Sequence, residues 1–234
     1  MSDPLGGAAP DEVGAAAPAT FVFADIAGFT ALTEAHGDEQ AAELVAEFCR
    51  AVQSELPASG GSQVKSIGDA LMLRIPEPAA AIRLGLRIAN GIMRDHGAPA
   101  VRVGLHHGPA LERDGDYFGA AVNLAARVSG EAVGGEVLLT AQTAAMAAEL
   151  DGVLYESRGR RQLRNVREPV ELVAAVPADV QARRRTATDP VCQMAVDPEH
   201  ACGRLVYEET AYFFCTLSCA SQFARHPERF VRAP

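Results

Sequence analysis

Two short β-prone runs, Gln63 to Ile67 and Ala70 to Ile75, are separated by the dipeptide Gly68-Asp69. A two-residue link reverses a chain into paired antiparallel strands, and glycine supplies the backbone freedom that such a turn uses. The segment predicts a hairpin with an acidic tip. Its surroundings extend the pattern. Phe21 to Asp25 has strand character, and after Gly28 comes a helical stretch with Leu44, Phe48 and Val52 at intervals of four. Glu77 to His96 reads as a second amphipathic helix, with Ile82, Leu86 and Ile88 among its apolar positions. Val101 to Leu105 returns to strand, and Asp114-Gly115 marks a turn before a third helix from Gly119 to Ser129. Glu136 to Leu139, Val153 to Glu156 and Pro169 to Val176 supply further strands. Interleaved strands and helices with adjacent hairpins predict an α+β sandwich, an antiparallel-rich sheet packed with helices, over a doubly wound parallel sheet.

A chain of 234 residues, 48% hydrophobic and 22% charged, can bury one substantial core and carry a small appendage. Residues 1–18 read as an Ala/Pro/Gly-rich disordered tail. Asp3, Asp11 and Glu12 stand there where a signal peptide would be basic and apolar. The Ala-rich stretch from Ala79 is interrupted by Arg83 and Arg87, so no membrane span is expected and the chain reads as cytoplasmic. A formal net charge of −9 disfavours nucleic acid as a partner. Residues 178–188, with Arg183, Arg184 and Arg185, are polar without apolar period and read as a linker between a unit at 19–177 and a module at 189–234.

The chemistry gathers at a few positions. Asp25 ends a β-run and leads into Ile26-Ala27-Gly28-Phe29-Thr30, a Gly-containing loop that can present backbone N–H groups to phosphate. Asp69 is the acidic hairpin tip. Each alone is an ordinary turn or cap residue, but two strand-end carboxylates together can hold Mg²⁺. Lys65 is the sole lysine among 21 cationic residues, which points to a requirement for a compact ammonium at that position. Lys65-Ser66 does not form a P-loop, because the residue before the lysine is Val64. His106 and His107 are adjacent on a strand, so they face opposite ways and read as sheet-packing or rim residues. Arg158, Arg160, Arg161 and Arg167 read as a solvated face, and Cys49 as a small core or near-core residue.

Taken together, Phe23-Ala24-Asp25-Ile26-Ala27-Gly28-Phe29-Thr30, Lys65-Ser66-Ile67-Gly68-Asp69, Arg102-Val103-Gly104-Leu105-His106 and Val122-Asn123 through Arg127 resemble, in order and spacing, the class III adenylate/guanylate cyclase catalytic domain. The resemblance covers about residues 19–176. It implies two metal ions, Mg²⁺ or Mn²⁺, held by Asp25, Asp69 and the backbone of Ile26, with Gly28, Phe29 and Thr30 on the substrate. It implies that Lys65 and Asp116 recognise adenine, and that Asn123 and Arg127 stabilise the transition state. Four residues apart on a helix, that last pair shares one face. Where the family has a triphosphate-binding lysine near its last strands, Arg164 keeps the charge with a different geometry. The family usually has Thr where His107 stands. The implied activity is conversion of ATP to cyclic AMP and pyrophosphate by a homodimer with shared active sites. Guanylate cyclase is the alternative, disfavoured by Lys65 and Asp116. A nonenzymatic metal-responsive binding protein is another, disfavoured because no motif residue is missing.

The C-terminal segment from Asp189, through Cys192, Met194 and Pro198 to Tyr212-Phe213-Phe214-Cys215 and Cys219, resembles the small YHS-type domain. A segment that short lacks the core to fold unaided, and its thiolates have an obvious structural use. Cys192, Cys215 and Cys219 match the family positions and are candidate ligands for Zn²⁺ or Cu⁺. Cys202 does not match.

Overall fold

The computed structural model describes residues 14–92, 99–147, 149–179 and 187–231. The tail before residue 14 and Arg183 to Arg185 lie outside the described residues. Among the described residues, twelve strands and six α-helices follow in chain order: β1 (Gly14–Ile26), α1 (Phe29–His36), α2 (Asp38–Ser59), β2 (Ser62–Ile67), β3 (Ala70–Ile75) and α3 (Pro78–Arg87). Next come β4 (Val101–Arg113), β5 (Asp116–Phe118), α4 (Ala120–Glu131), β6 (Val137–Thr140), α5 (Ala141–Ala147), β7 (Val153–Arg161) and β8 (Val170–Pro177). The C-terminal module holds β9 (Ala187–Thr188), β10 (Ala195–Val196), β11 (Gly203–Tyr207), β12 (Thr210–Phe214) and α6 (Leu217–Arg225).

The main sheet runs β2-β3-β1-β4-β6-β8-β7, with β5 folded back on the end of β4. Among the described residues only the β4–β6 pair is parallel, so the antiparallel-rich α+β architecture expected from the sequence is the one observed. Strand alternation divides the core. Val22, Ala24 and Ile26 of β1 pack with Leu71, Leu73 and Ile75 of β3 beneath α2 and α3, through Phe48, Val52, Ile82 and Leu84. Phe21 and Met72 face the opposite way, where Ala121, Val122 and Ala125 of α4 cover them. Asp25, in step with Phe21 along β1, belongs to that second face.

Several boundaries differ from the sequence reading. β1 begins at Gly14, inside the expected tail, because β4 is longer than expected and offers Ala110, Leu111 and Glu112 as partners for Ala16, Ala15 and Gly14. The helical stretch after Gly28 is two helices, since Gly37 at φ 87 turns the chain between them. The helix from Glu77 becomes a π-helical turn at Ile88–Ile92, and residues 93–98 lie outside the described part. Residues 187 and 188, in the expected linker, pair with β10. The β2–β3 hairpin forms as expected, with Gly68 at φ 63 in its turn.

The module shares the main core. Cys192, Met194, Phe214 and Phe223 join the same apolar cluster as Leu32 of α1, Met194 bridges to Pro99, and the Ala100 N–H donates to the Gln193 carbonyl at 3.1 Å.

Candidate active site and thiol cluster

Asp25 and Asp69 meet at one end of the sheet. Register puts Asp25 opposite Ala70 on one side and Arg102 on the other. The Arg102 guanidinium donates through Nε at 2.7 Å and through Nη2 to the same Asp25 oxygen. Burial and hydrogen bonding with Asp25 push the Asp69 carboxyl up to about 6. Two carboxyls therefore crowd one place, where ionising both is costly, and Arg102 neutralises part of their charge. Arg102 belongs to a sequence motif that by itself gives it no role. The signal was its place on the strand beside Asp25, which only the register reveals.

The loop after Asp25 is fixed by its backbone. Ala27 donates to the Ala100 carbonyl at 2.8 Å, Gly28 takes φ 68, and its carbonyl receives the Leu32 N–H as α1 begins. Gly28 and Thr30 are exposed, whereas Ile26 is buried.

Lys65 on β2 and Asp116 on β5 form a second group. Their ion pair is 2.5 Å long, and the Lys65 ammonium stands 5.7 Å from the centroid of the Phe118 ring. The hydrogen bond from Lys65 holds the Asp116 carboxyl below its ordinary range. Phe118 is half exposed, an apolar plate beside a donor and an acceptor, and the sequence reading did not single it out. Such a set fits a purine, which offers a flat face and polar edges.

Asn123 and Arg127 lie exposed on α4, on the side away from buried Val122, Ala125, Val128 and Ser129. The backbone sets the seat of this helix, because a Cβ on Gly104 would come within 2.1 Å of the Ser129 nitrogen. Among the described residues, no hydrogen bond or ion pair joins Asn123 or Arg127 to the Asp25–Asp69 or Lys65–Asp116 groups. Arg164 is exposed in the turn after β7.

His106 and His107 are both buried, bonded to Thr140 at 2.9 Å and to Thr20 at 3.0 Å. They pack the sheet, as their alternation predicts. Arg158 departs from the expected solvated face, since Glu136 accepts from its Nε at 2.7 Å.

In the module, Cys192, Cys215 and Cys219 converge, with Sγ separations of 3.3 Å from Cys192 to Cys215 and 3.9 Å from Cys215 to Cys219. Buried Asp189 organises the approach, accepting from the Val191 N–H at 2.9 Å and the Cys215 N–H at 2.8 Å. Thr216 caps α6 by accepting from Cys219 N at 3.1 Å. Hydrogen bonds from Cys192 and Cys215 hold the Cys219 thiol well below its ordinary range, while Cys192 and Cys215 themselves are pushed up, so the metal-free cluster favours a single thiolate, on Cys219. Cys202 is exposed and outside this group. A further side chain that the sequence does not reveal is His36, at the end of α1, with Nε2 3.8 Å from Cys215 Sγ.

Residues 13–173 match the family model described as adenylate and guanylate cyclase catalytic domain, and residues 187–233 match the YHS domain. The chain is 36% identical over 156 residues to a pH-sensitive adenylate cyclase of Mycobacterium tuberculosis, covering 65% of this chain and 39% of that one. It is 35% identical to an adenylate cyclase of Streptomyces griseus, covering 46% of this chain and 27% of that one. The chain thus spans well under half the length of these curated relatives. Among solved structures, an adenylyl cyclase from P. aeruginosa superposes with a TM-score of 0.61 at 23% identity, over 70% of this chain and 95% of that one. A Trypanosoma brucei adenylate cyclase gives 0.61 at 25% identity, over 70% and 90%.

Proposed function

This chain belongs to the adenylate and guanylate cyclase catalytic-domain family and carries a YHS domain behind it, and from that premise we propose that it is an adenylate cyclase. Residues 19–177 would form the catalytic unit, joined through 178–188 to the module at 189–234. The observation that carries the substrate choice is the Lys65–Asp116 pair beside Phe118. An ammonium can donate to adenine N1 and a carboxylate can accept from its exocyclic amine, whereas guanine presents the reverse polarity at the same edge.

Asp25 and Asp69 supply hard oxygen donors in a crowded acidic corner, a set that fits Mg²⁺ or Mn²⁺ and not a soft ion. The two aspartates, with the Ile26 carbonyl, would hold the metals. When bound there, two such ions would lower the pKa of the ribose 3′-hydroxyl and stabilise charge on the α-phosphate and the departing pyrophosphate. The chain's own groups do the rest. The N–H groups of Gly28, Phe29 and Thr30 would donate to phosphate oxygens, and Arg164 would add a cation for the triphosphate. Asn123 and Arg127 approach the reacting α-phosphate from one helix face. The 3′-oxygen forms its bond to phosphorus as the bond to pyrophosphate breaks, and the hydroxyl proton is lost to solvent. Positioning and fixed charge supply most of the acceleration.

Among the described residues, no hydrogen bond or ion pair joins Asn123 or Arg127 to the other two groups within one chain, in keeping with a homodimer with composite sites. Ile67, Leu111 and Phe118 are apolar and about half exposed near the purine-binding pair, a surface suited to a second copy. Among the described residues no helix is long and apolar enough to cross a membrane. We place the enzyme in the cytoplasm, where ATP is the substrate and cyclic AMP serves signal transduction. The module's thiolates Cys192, Cys215 and Cys219 would take a soft ion, Zn²⁺ or Cu⁺.

The direct test is purified protein incubated with ATP or GTP and Mg²⁺ or Mn²⁺, with products separated by chromatography. Cyclic AMP and pyrophosphate from ATP are expected. A folded protein that makes no cyclic nucleotide from either substrate would sink the reading, and a preference for GTP would reassign the substrate.

A further inference from the structure

Four donors from two parts of the chain converge at the seam between the catalytic unit and the module. The His36 ring nitrogen and the Cys192, Cys215 and Cys219 sulfurs all lie within 4.8 Å of one another. The three cysteines are buried and the histidine is half-buried. Four ligands at about 2.3 Å from a central ion in tetrahedral array would stand about 3.8 Å apart. The observed separations, 3.3 and 3.9 Å between sulfurs and 3.8 Å from His36 to Cys215, bracket that spacing. Three thiolates and an imidazole are a structural zinc set with no position left open.

We propose that His36, Cys192, Cys215 and Cys219 bind one Zn²⁺ that clamps the C-terminal module to the helix following the Asp25 loop. The proposal rests on the module's thiols holding a metal, and adds that the catalytic unit supplies the fourth ligand. His36 closes α1, and Gly28 opens it. Gln193, next to Cys192, lies against that opening: a Cβ on Gly28 would meet the Gln193 side chain at 2.5 Å. A cavity beside the loop is lined by Gly28, Arg102, Pro190, Gln193 and Phe230, so both units wall it. An ion at the clamp would fix the C-terminal end of α1 against the module, whose Gln193 packs against the N-terminal end. Asp189 is a positioning residue here, holding the Cys215 backbone through its own buried carboxylate.

The test is metal binding by the full chain, read without the nucleotide reaction. The wild-type protein should carry about one Zn²⁺ per chain by elemental mass spectrometry, and its Co²⁺ form should show the visible bands of a tetrahedral three-thiolate, one-imidazole site. His36→Ala should weaken Zn²⁺ at least about tenfold against a chromophoric chelator, and should speed amide hydrogen exchange at Ala100, whose N–H reaches the module. His36→Cys should restore tight binding with a four-thiolate Co²⁺ spectrum. Zn²⁺ affinity and Co²⁺ bands unchanged in His36→Ala would overturn the clamp while leaving a thiol site inside the module. A wild-type chain purified without metal and carrying a Cys192–Cys215 disulfide would overturn both.

Discussion

The Lys65 ammonium lies 2.5 Å from the Asp116 carboxylate, closing an ion pair between residues 51 apart in sequence. The two side chains are 39% and 29% exposed, so the pair contributes little to stability and its removal reads out as function. Lys65→Glu combined with Asp116→Cys should lower ATP turnover at least about tenfold, the scale of a lost charged hydrogen bond in a binding site. Steady-state kinetics on the folded double variant decide it. Unchanged ATP kinetics would remove both residues from purine recognition.

Gly104 explains how α4 reaches the sheet. A Cβ there would lie 2.1 Å from the Ser129 nitrogen and 2.3 Å from its Cα, and backbone cannot swing aside as a side chain can. Gly104→Ala should cost about 1–3 kcal/mol by overpacking, measured by denaturant unfolding. Because α4 carries Asn123 and Arg127, activity per folded molecule should fall as well. Wild-type stability in this variant would contradict the close contact.

The buried His106 ring gives the fold an acid limit. Burial, with a smaller contribution from His107, lowers its pKa from 6.5 to about 4, and burial lowers His107 as well, against the opposing charge of Glu77. The unfolded chain then binds more protons than the folded one between those values. Stability is full above about pH 6.5 and is lost as pH falls toward 4. For His106 alone the loss from pH 7.5 to 5 is about 2 kcal/mol. His106→Asn, which can keep the bond to Thr140, should flatten that decline in unfolding measurements. An equal decline in the variant would assign the acid sensitivity elsewhere.

Legibility in the sequence followed the range of the interactions involved. The β2–β3 hairpin and the exposed face shared by Asn123 and Arg127 were readable because turn chemistry and helix period are local. The start of β1 at Gly14 was not, since its Ala-rich composition carries no strand signal and its pairing depends on the far end of β4. Arg102 beside Asp25 and Thr140 beside His106 arise from strand register, which spacing does not encode. His36 is the extreme case, 179 residues from Cys215 and placed beside it only by docking of the module.

The active site is expected to be divided between two subunits. The Asp25–Asp69 pair and the Asn123–Arg127 face are not joined within one chain among the described residues, as composite sites require. In a symmetric homodimer, Asp25 of one subunit would work with Asn123 of the other. Asp25→Ala alone and Asn123→Ala alone should each be nearly inactive, because both sites of each mutant dimer carry one defect. A mixed dimer gathers both defects into one site and leaves the other intact. Random exchange makes half the dimers mixed, each with one good site of two, so activity should recover to about a quarter of wild type. A monomeric enzyme cannot show this recovery, since no chain in the mixture has both residues. The measurement is cyclic AMP formation after co-incubation, with subunit exchange checked by differently tagged chains. Proven exchange with no recovery would mean that each chain builds its site alone.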